Sequence, residues 1–497
     1  MLLTIFPRLG NNFIIRLIRK IFASKHSTIL IAVLTLSSNL FAWDIPILYA
    51  YAAVVALAAL FLDDMRCTIP IACFAYFTFS KANNPLSWEH TSIFLGKAAK
   101  LHLYVVIGLI AFFAVAKLIF NVIVKKGKRN FPKLSLGFLA LGISYVLGGL
   151  LSPHYDLKTV TFGLAQIGSL AFSYFYFYFT VDFEKMEKSY FAYLMTVMGF
   201  LLLGETLGML YQSGFFENIQ DFKRGDLYTG WGFYNNLAGS MIMCIPAPFY
   251  YTITNKKHRL CPLIIGNLFY LTMFFIQSRG GIVFGTCVYL LCLAICFWEL
   301  ENKRTFILTQ CIFLACGVTV ALLFRDKLYN LFLSMLERGF DDSGRFDIYK
   351  NGWKQFLDFP IFGNGFYACT AWQWGDASVG GFLPPRYHDT YVQLAASGGV
   401  FALLAYSFHR IETLRLLFKR NSIEGYFIAL CILGLLLTSI LDCHFFNFGP
   451  GFAYSALLLL MEIDLAKGNK PKKKKAPGKL PDAEFLDGMT FIWKKNG

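Results

Sequence analysis

The chain has 497 residues, 56% of them hydrophobic, 18% aromatic and only 15% charged, with a mean hydropathy of +0.53. A soluble globular chain carries about 25% charged residues, so the composition excludes a water-soluble globular domain and puts most of the surface against lipid. The formal net charge of +16 lies in short clusters between apolar runs rather than on one face, which excludes nucleic acid as a partner and reads as a topology signal.

In chain order, residues 1–26 are basic and amphipathic ("RLIRKIFASK") and are expected to form a cytoplasmic N-terminus rather than a removable signal peptide. A spanning helix needs about 20 mostly apolar residues. About fourteen such runs follow, at roughly 27–43, 45–62, 66–80, 101–123, 133–151, 160–180, 188–211, 236–254, 261–277, 279–298, 305–325, 390–407, 423–441 and 445–463. The run at 66–80 is short enough to be re-entrant, and "WDIP" closes the first two runs into a tight hairpin. The expected fold is all-α: a polytopic integral membrane protein of about 12–14 transmembrane helices, with a large outer loop containing amphipathic helices.

Alternate loops hold "RLIRK", "KKGKR", "NKKHR", "ENKR", "HRIETLRLLFKR" and the tail motif "KPKKKK". With both termini cytoplasmic, roughly 31 of the Lys and Arg residues fall inside and roughly 14 outside. The expected organisation is a basic N-terminus (1–26), an N-terminal transmembrane bundle (27–211), a catalytic region (212–463) and a basic cytoplasmic tail (464–497). Two outer loops are long, 212–235 and 326–389, and long ordered loops among short ones usually carry function. The twelve cysteines form no CxxC pair and lie mostly in apolar runs, where free thiols behave as small apolar groups. No metal and no cofactor is called for.

The unusual polar residues gather on the outer face. In "QSRGGIVFG" (277–285), Arg279 falls in a very short turn between apolar helices, where it meets either an anion or lipid headgroups. In "DFKRGDLYTGWGFYNNLAGS" (221–240), Lys223 and Arg224 stand in the loop, and Asn235 and Asn236 open a helix whose free N–H groups suit an anion. In "SGRFDIYKNGWKQFLDFPIFGNGF" (343–366), an interfacial helix carries Arg345 and Lys350 and is broken by proline and glycine. In "RYHDTYVQLAASGG" (386–399), His388 and Asp389 stand where the aqueous loop meets the next helix. Arginines suit phosphate, and a histidine suits proton transfer from a hydroxyl. Together they describe group transfer from a phosphorylated carrier presented at the outer leaflet, a lipid diphosphate.

The segments "GFYNNLAG", "SRGG", "SGRFDIYKNGWKQFLDFPIFGNGF" and "HDTYVQLAASGGVFALLAY", in this order over roughly 220–410, resemble the O-antigen ligase and polymerase superfamily of bacterial envelope glycosyltransferases. The resemblance implies a polytopic helical fold in the inner membrane with a periplasmic loop at 326–389. It implies an undecaprenyl-diphosphate-linked glycan donor, and as acceptor either the lipid A core (ligase) or a second lipid-linked glycan (polymerase). It carries His388 over as catalytic histidine, Arg279 and Arg224 as diphosphate-binding arginines, and Arg345 as a further substrate-binding arginine. The family's usual Asn after the histidine is here Asp389, a carboxylate able to orient the ring. The alternative from another class is a transporter of lipid-linked sugars, which predicts inverted repeats and midplane polar residues; no repeat is found. Elsewhere, Glu205 is an intramembrane acid, Lys117 is expected to snorkel, Asp442 and His444 reach the outer face, and Asp341 and Asp342 form an acidic pair.

Overall fold

The computed structural model describes residues 12–41, 43–78, 97–124, 131–183, 186–187, 189–212, 214–215, 228–229, 232–323, 325, 345–366 and 387–468. The apolar runs become helices in the expected order. They begin with α1 (Phe13–Phe22), α2 (His26–Phe41), α3 (Asp44–Phe61), α4 (Thr68–Phe74, continued by one tighter turn), α5 (Lys97–Ile123) and α6 (Ser135–Leu147). Next come α7 (Leu157–Ile167) and α8 (Ser173–Thr180), joined through a π-turn at Gly168–Phe172, and then α9 (Tyr190–Gln212). After a minimal hairpin of β1 (Tyr228–Thr229) and β2 (Gly232–Phe233) stand α10 (Tyr234–Cys244), α11 (Pro246–Thr254), α12 (Leu260–Ile276), α13 (Arg279–Glu299) and α14 (Arg304–Leu323). Then follow α15 (Arg345–Asp358), α16 (Thr390–Lys419), α17 (Ile423–Leu441) and α18 (Phe448–Gly468).

The protein is a polytopic all-α membrane protein. Among the described residues, eight helices are long and apolar enough to cross a membrane, or up to nine if the bent pair α1–α2 counts as one span. Five more apolar helices are shorter, among them α4, α6, α12, α14 and most of α18. Lipid and protein faces separate by burial. The α10–α11 unit is 89% buried and forms part of the centre, whereas the span Leu101–Ile123 of α5 is 22% buried and shows Leu101, Val105, Ile107 and Phe112 outward. The α10–α11 break falls at Pro246, which has no N–H to continue the helical ladder. At the centre, α18 buries Tyr454, Leu457, Leu458 and Met461.

Two intramembrane charges find different surroundings. Lys117 does not snorkel: it is fully buried, and its Nζ donates to the Leu62 carbonyl at 2.5 Å, at the C-terminal end of α3, where a cation meets the negative end of the helix dipole. Glu205 is fully buried on α9, and neither carboxyl oxygen has a hydrogen-bond partner among the described residues.

A second difference lies in α16. The stretch "HRIETLRLLFKR", expected as an inner loop after a span ending near 407, continues the helix to Lys419. Arg410 lies against the rings of Tyr406, Phe445 and Tyr454 at 4.5, 4.6 and 5.1 Å, and its Nη1 donates to the Tyr454 hydroxyl at 2.8 Å. Aromatic faces and a hydroxyl replace the water that a loop arginine would have had.

Candidate active site

The site is built where three helix ends meet. The α12–α13 hairpin turns through Gln277, in the left-handed region at φ 55°, and Ser278, whose Oγ accepts from the Gly281 amide at 3.2 Å and so caps α13. Arg279 is therefore the first residue of α13, half-buried beside the positive end of the helix. Gly280 packs this end onto the last turn of α17: a Cβ there would stand 2.4 Å from Leu441 Cδ1. The residue that follows Leu441 is Asp442, so the close approach brings the arginine turn next to that carboxylate.

Across from it, His388 leads into α16. Its Nδ1 stands 3.3 Å from Asp442 Oδ1. His388 itself is in the left-handed region, at φ 55°, which costs a non-glycine residue of order 1 kcal/mol. Bonds on both sides hold it there. The Tyr387 amide donates to Gln393 Oε1 at 3.1 Å, the Tyr349 hydroxyl donates to the His388 carbonyl at 3.3 Å, and Asp389 Oδ1 accepts from the Val392 amide at 2.8 Å as the cap of α16. The His388 side chain remains 35% exposed, so its ring is reachable from outside the bundle.

The electrostatics favour an ionised Asp442. Burial pushes its carboxyl up, but the hydrogen bond and charge of His388, with His444 and Arg345 near, outweigh this and hold it below the ordinary carboxylate range. Asp389 goes the other way: burial raises it, against the amides of Val392 and Tyr391. Burial also pushes Tyr349 up to about 12, so it stays a neutral donor to the His388 backbone.

The second side of the site is a polar relay. Ser278 Oγ donates to Asn235 Oδ1 at 2.9 Å, Asn447 Nδ2 donates to Asn236 Oδ1 at 2.9 Å, and Asn447 Nδ2 also lies 3.2 Å from His444 Nδ1. The two asparagines thus sit in the first turn of α10 with their side chains tied to neighbouring elements. Lys350 is exposed on α15, and no bond among the described residues joins it to the cluster. Arg224, Lys223, Asp341 and Asp342 lie outside the described residues. The structure therefore brings together His388, Asp389, Arg345, Asn235 and Arg279 around one helix-end cluster. It adds Asp442, Tyr349 and Gln393, of which only Asp442 stood out in the sequence, as a polar residue at the same face.

The motif "PIFGNGF" explains how the interfacial helix α15 is anchored. At Gly399 (φ 63°, ψ −161°) α16 is broken. The loop after α15 pairs with the freed backbone: the Asn364 amide donates to the Ala396 carbonyl at 2.8 Å, Gly365 to Ser397 at 2.9 Å, Val400 to Pro360 at 2.8 Å and Phe401 to Ile361 at 3.1 Å. This clamp fixes α15, and with it Arg345 and Tyr349, over the start of α16.

Residues 265–407 match the family described as O-Antigen ligase. This segment belongs to the O-antigen ligase superfamily. No curated protein matches the chain. The O-antigen ligase segment contains Arg279, Arg345, Lys350, His388 and Asp389, whereas Asn235 and Asp442 come to the site from outside it. That family is one of ligase- and polymerase-type membrane glycosyltransferases, and the match points to glycosyl-transfer chemistry for this segment.

Proposed function

We propose that the protein transfers a glycan from an undecaprenyl-diphosphate carrier to the lipid A core, at a site facing the periplasm from the bacterial inner membrane. The observation that carries this reading is the His388–Asp442 pair, 3.3 Å apart, at the helix end occupied by Arg279. Asp442 accepts the Nδ1 proton of His388, which leaves the Nε2 lone pair for the acceptor hydroxyl. As the acceptor oxygen attacks the anomeric carbon, Nε2 takes its proton and the bond from that carbon to the diphosphate oxygen breaks. Negative charge grows on the departing diphosphate, where Arg279, Arg224 and the N-terminus of α13 stabilise it. One displacement inverts the anomeric configuration. The reading calls on no metal: arginines and a helix end do the work of a cation. Arg345, Asn235 and Lys350 complete the substrate-binding set, and Asp389 shapes the backbone that presents His388.

The test uses the purified chain with a lipid-linked oligosaccharide and lipid A core, products resolved on a gel. One shifted core band is expected. His388→Ala is expected to lower its rate by about 10²- to 10⁴-fold, the usual worth of a general base. A ladder on the carrier lipid instead would move the assignment to polymerase. No product from a competent donor and acceptor would favour transport of lipid-linked sugars.

A further inference from the structure

At the opposite end of α12 from Arg279 lies a cavity of about 270 Å³ that the transfer reaction does not use. The 17 residues of α12 at about 1.5 Å each put it about 25 Å from the candidate active site. Its polar wall carries Lys256, Lys257 and Arg259, with Asn302 and Thr305 opposite, and no acidic residue lines it. Lys256 Nζ lies 3.9 Å from Glu301, with both side chains in solvent. Arg259 Nε is buried and has no hydrogen-bond partner among the described residues, which in a closed protein interior would be costly. Arg259 also lines the cavity, so its guanidinium borders the space an anion would fill.

The floor of the cavity is apolar, formed by Leu263, Leu300 and Phe306. From its mouth an exposed apolar stripe runs along α12 through Leu260, Ile264 and Leu268, four residues apart and so on one face. Ile307, Leu308 and Ile312 of α14 are exposed as well. A free anion has no use for such a lane, whereas an acyl chain follows it.

We infer that this cavity binds the phosphate headgroup of an anionic phospholipid, whose chains lie along α12 and α14. Basic pockets at the ends of membrane helices recognise anionic lipids by this combination of charge and apolar wall. The bound lipid would pin the α11–α12 loop to the start of α14 and leave the chemistry at the far end untouched.

The delipidated full-length chain in detergent, titrated with phosphatidylglycerol, phosphatidylcholine or inorganic phosphate and read by native mass spectrometry, tests this. Wild type is expected to retain phosphatidylglycerol about fivefold or more over phosphatidylcholine. Lys257→Gln with Arg259→Gln should bring the ratio close to one. So should Thr305→Glu, which adds a negative charge at an exposed position and keeps the size-exclusion profile of the wild type. Lys419→Gln, at an exposed position outside the cavity lining, should leave it unchanged. Equal retention of the two lipids by wild type, or a preference that survives both cavity variants, overturns the proposal. Displacement of phosphatidylglycerol by inorganic phosphate at equal concentration overturns the lipid assignment in favour of a soluble phosphate.

Discussion

At the scale of single residues, Asp442 decides how His388 is presented. Its carboxyl is held below the ordinary range in the folded protein, so ionised Asp442 stabilises the fold. That contribution is complete above the ordinary carboxylate range, near pH 4, and is lost progressively as the pH falls from there through the depressed folded value. The melting-temperature gap between wild type and Asp442→Asn should therefore shrink as the pH falls below about 4. A gap that stays unchanged well below about pH 4 would show that the fold does not hold Asp442 ionised. At pH 7 the same variant should lose roughly 100-fold or more in transfer rate, since an amide can present the wrong partner to Nδ1. Asp389 behaves differently because its oxygen caps α16. Asp389→Ala should cost about 1 kcal/mol in chemical unfolding, and Asp389→Asn, an equally good cap, only a few tenths. If Asp389→Asn instead matched the rate loss of His388→Ala, Asp389 would be acting in the chemistry itself. His388 was legible in the sequence because a histidine at the end of an aqueous loop is conspicuous. The carboxylate that its ring contacts in the structure, Asp442, lies 54 residues away on another helix, and such pairings have no local signature, whereas Asp389 is adjacent in the sequence.

At the scale of elements, the break in α16 is what lets a membrane helix and an interfacial helix act as one support. Gly399 has φ 63°, and a Cβ there would stand 2.4 Å from the Ile361 carbonyl oxygen and 2.5 Å from its carbon. Both obstacles are backbone atoms of the clamp, so no side-chain rotation relieves them. Gly399→Ala should destabilise the protein by about 1–3 kcal/mol and loosen α15, seen as a lower melting temperature and faster proteolysis between Pro360 and Phe366. Unchanged proteolysis would mean that the clamp does not depend on the broken geometry. The spans themselves were readable because a run of about 20 apolar residues admits few alternatives in a membrane. The continuation of α16 past residue 407 was not, because its arginines resemble a topology-setting loop. Only tertiary structure shows the aromatic rings of Tyr406, Phe445 and Tyr454 that accept Arg410.

At the scale of the whole molecule, the two ends of α12 and α13 carry different chemistry. One end holds Arg279, Asp442 and His388; the other holds Lys256, Lys257, Arg259 and Arg304. Positive charge accumulates on the cytoplasmic side of inner-membrane proteins, so the lysine-rich end should face the cytoplasm and His388 the periplasm. A membrane-impermeant maleimide tests this on single cysteine variants at two exposed positions, Lys350→Cys on α15 and Lys257→Cys in the α11–α12 loop, each scored against the parent chain. With the outer membrane permeabilised and the inner membrane intact, Lys350→Cys should label and Lys257→Cys should not; lysis should expose the second. The reverse pattern would put His388 on the cytoplasmic side, away from a donor presented at the outer leaflet. Labelling of both in intact cells would mean that the connection between the two positions crosses the membrane an even number of times. In either case the proposed direction of glycan transfer would fail even if His388 remained essential, so the two labelling sites separate the topology of the enzyme from its chemistry.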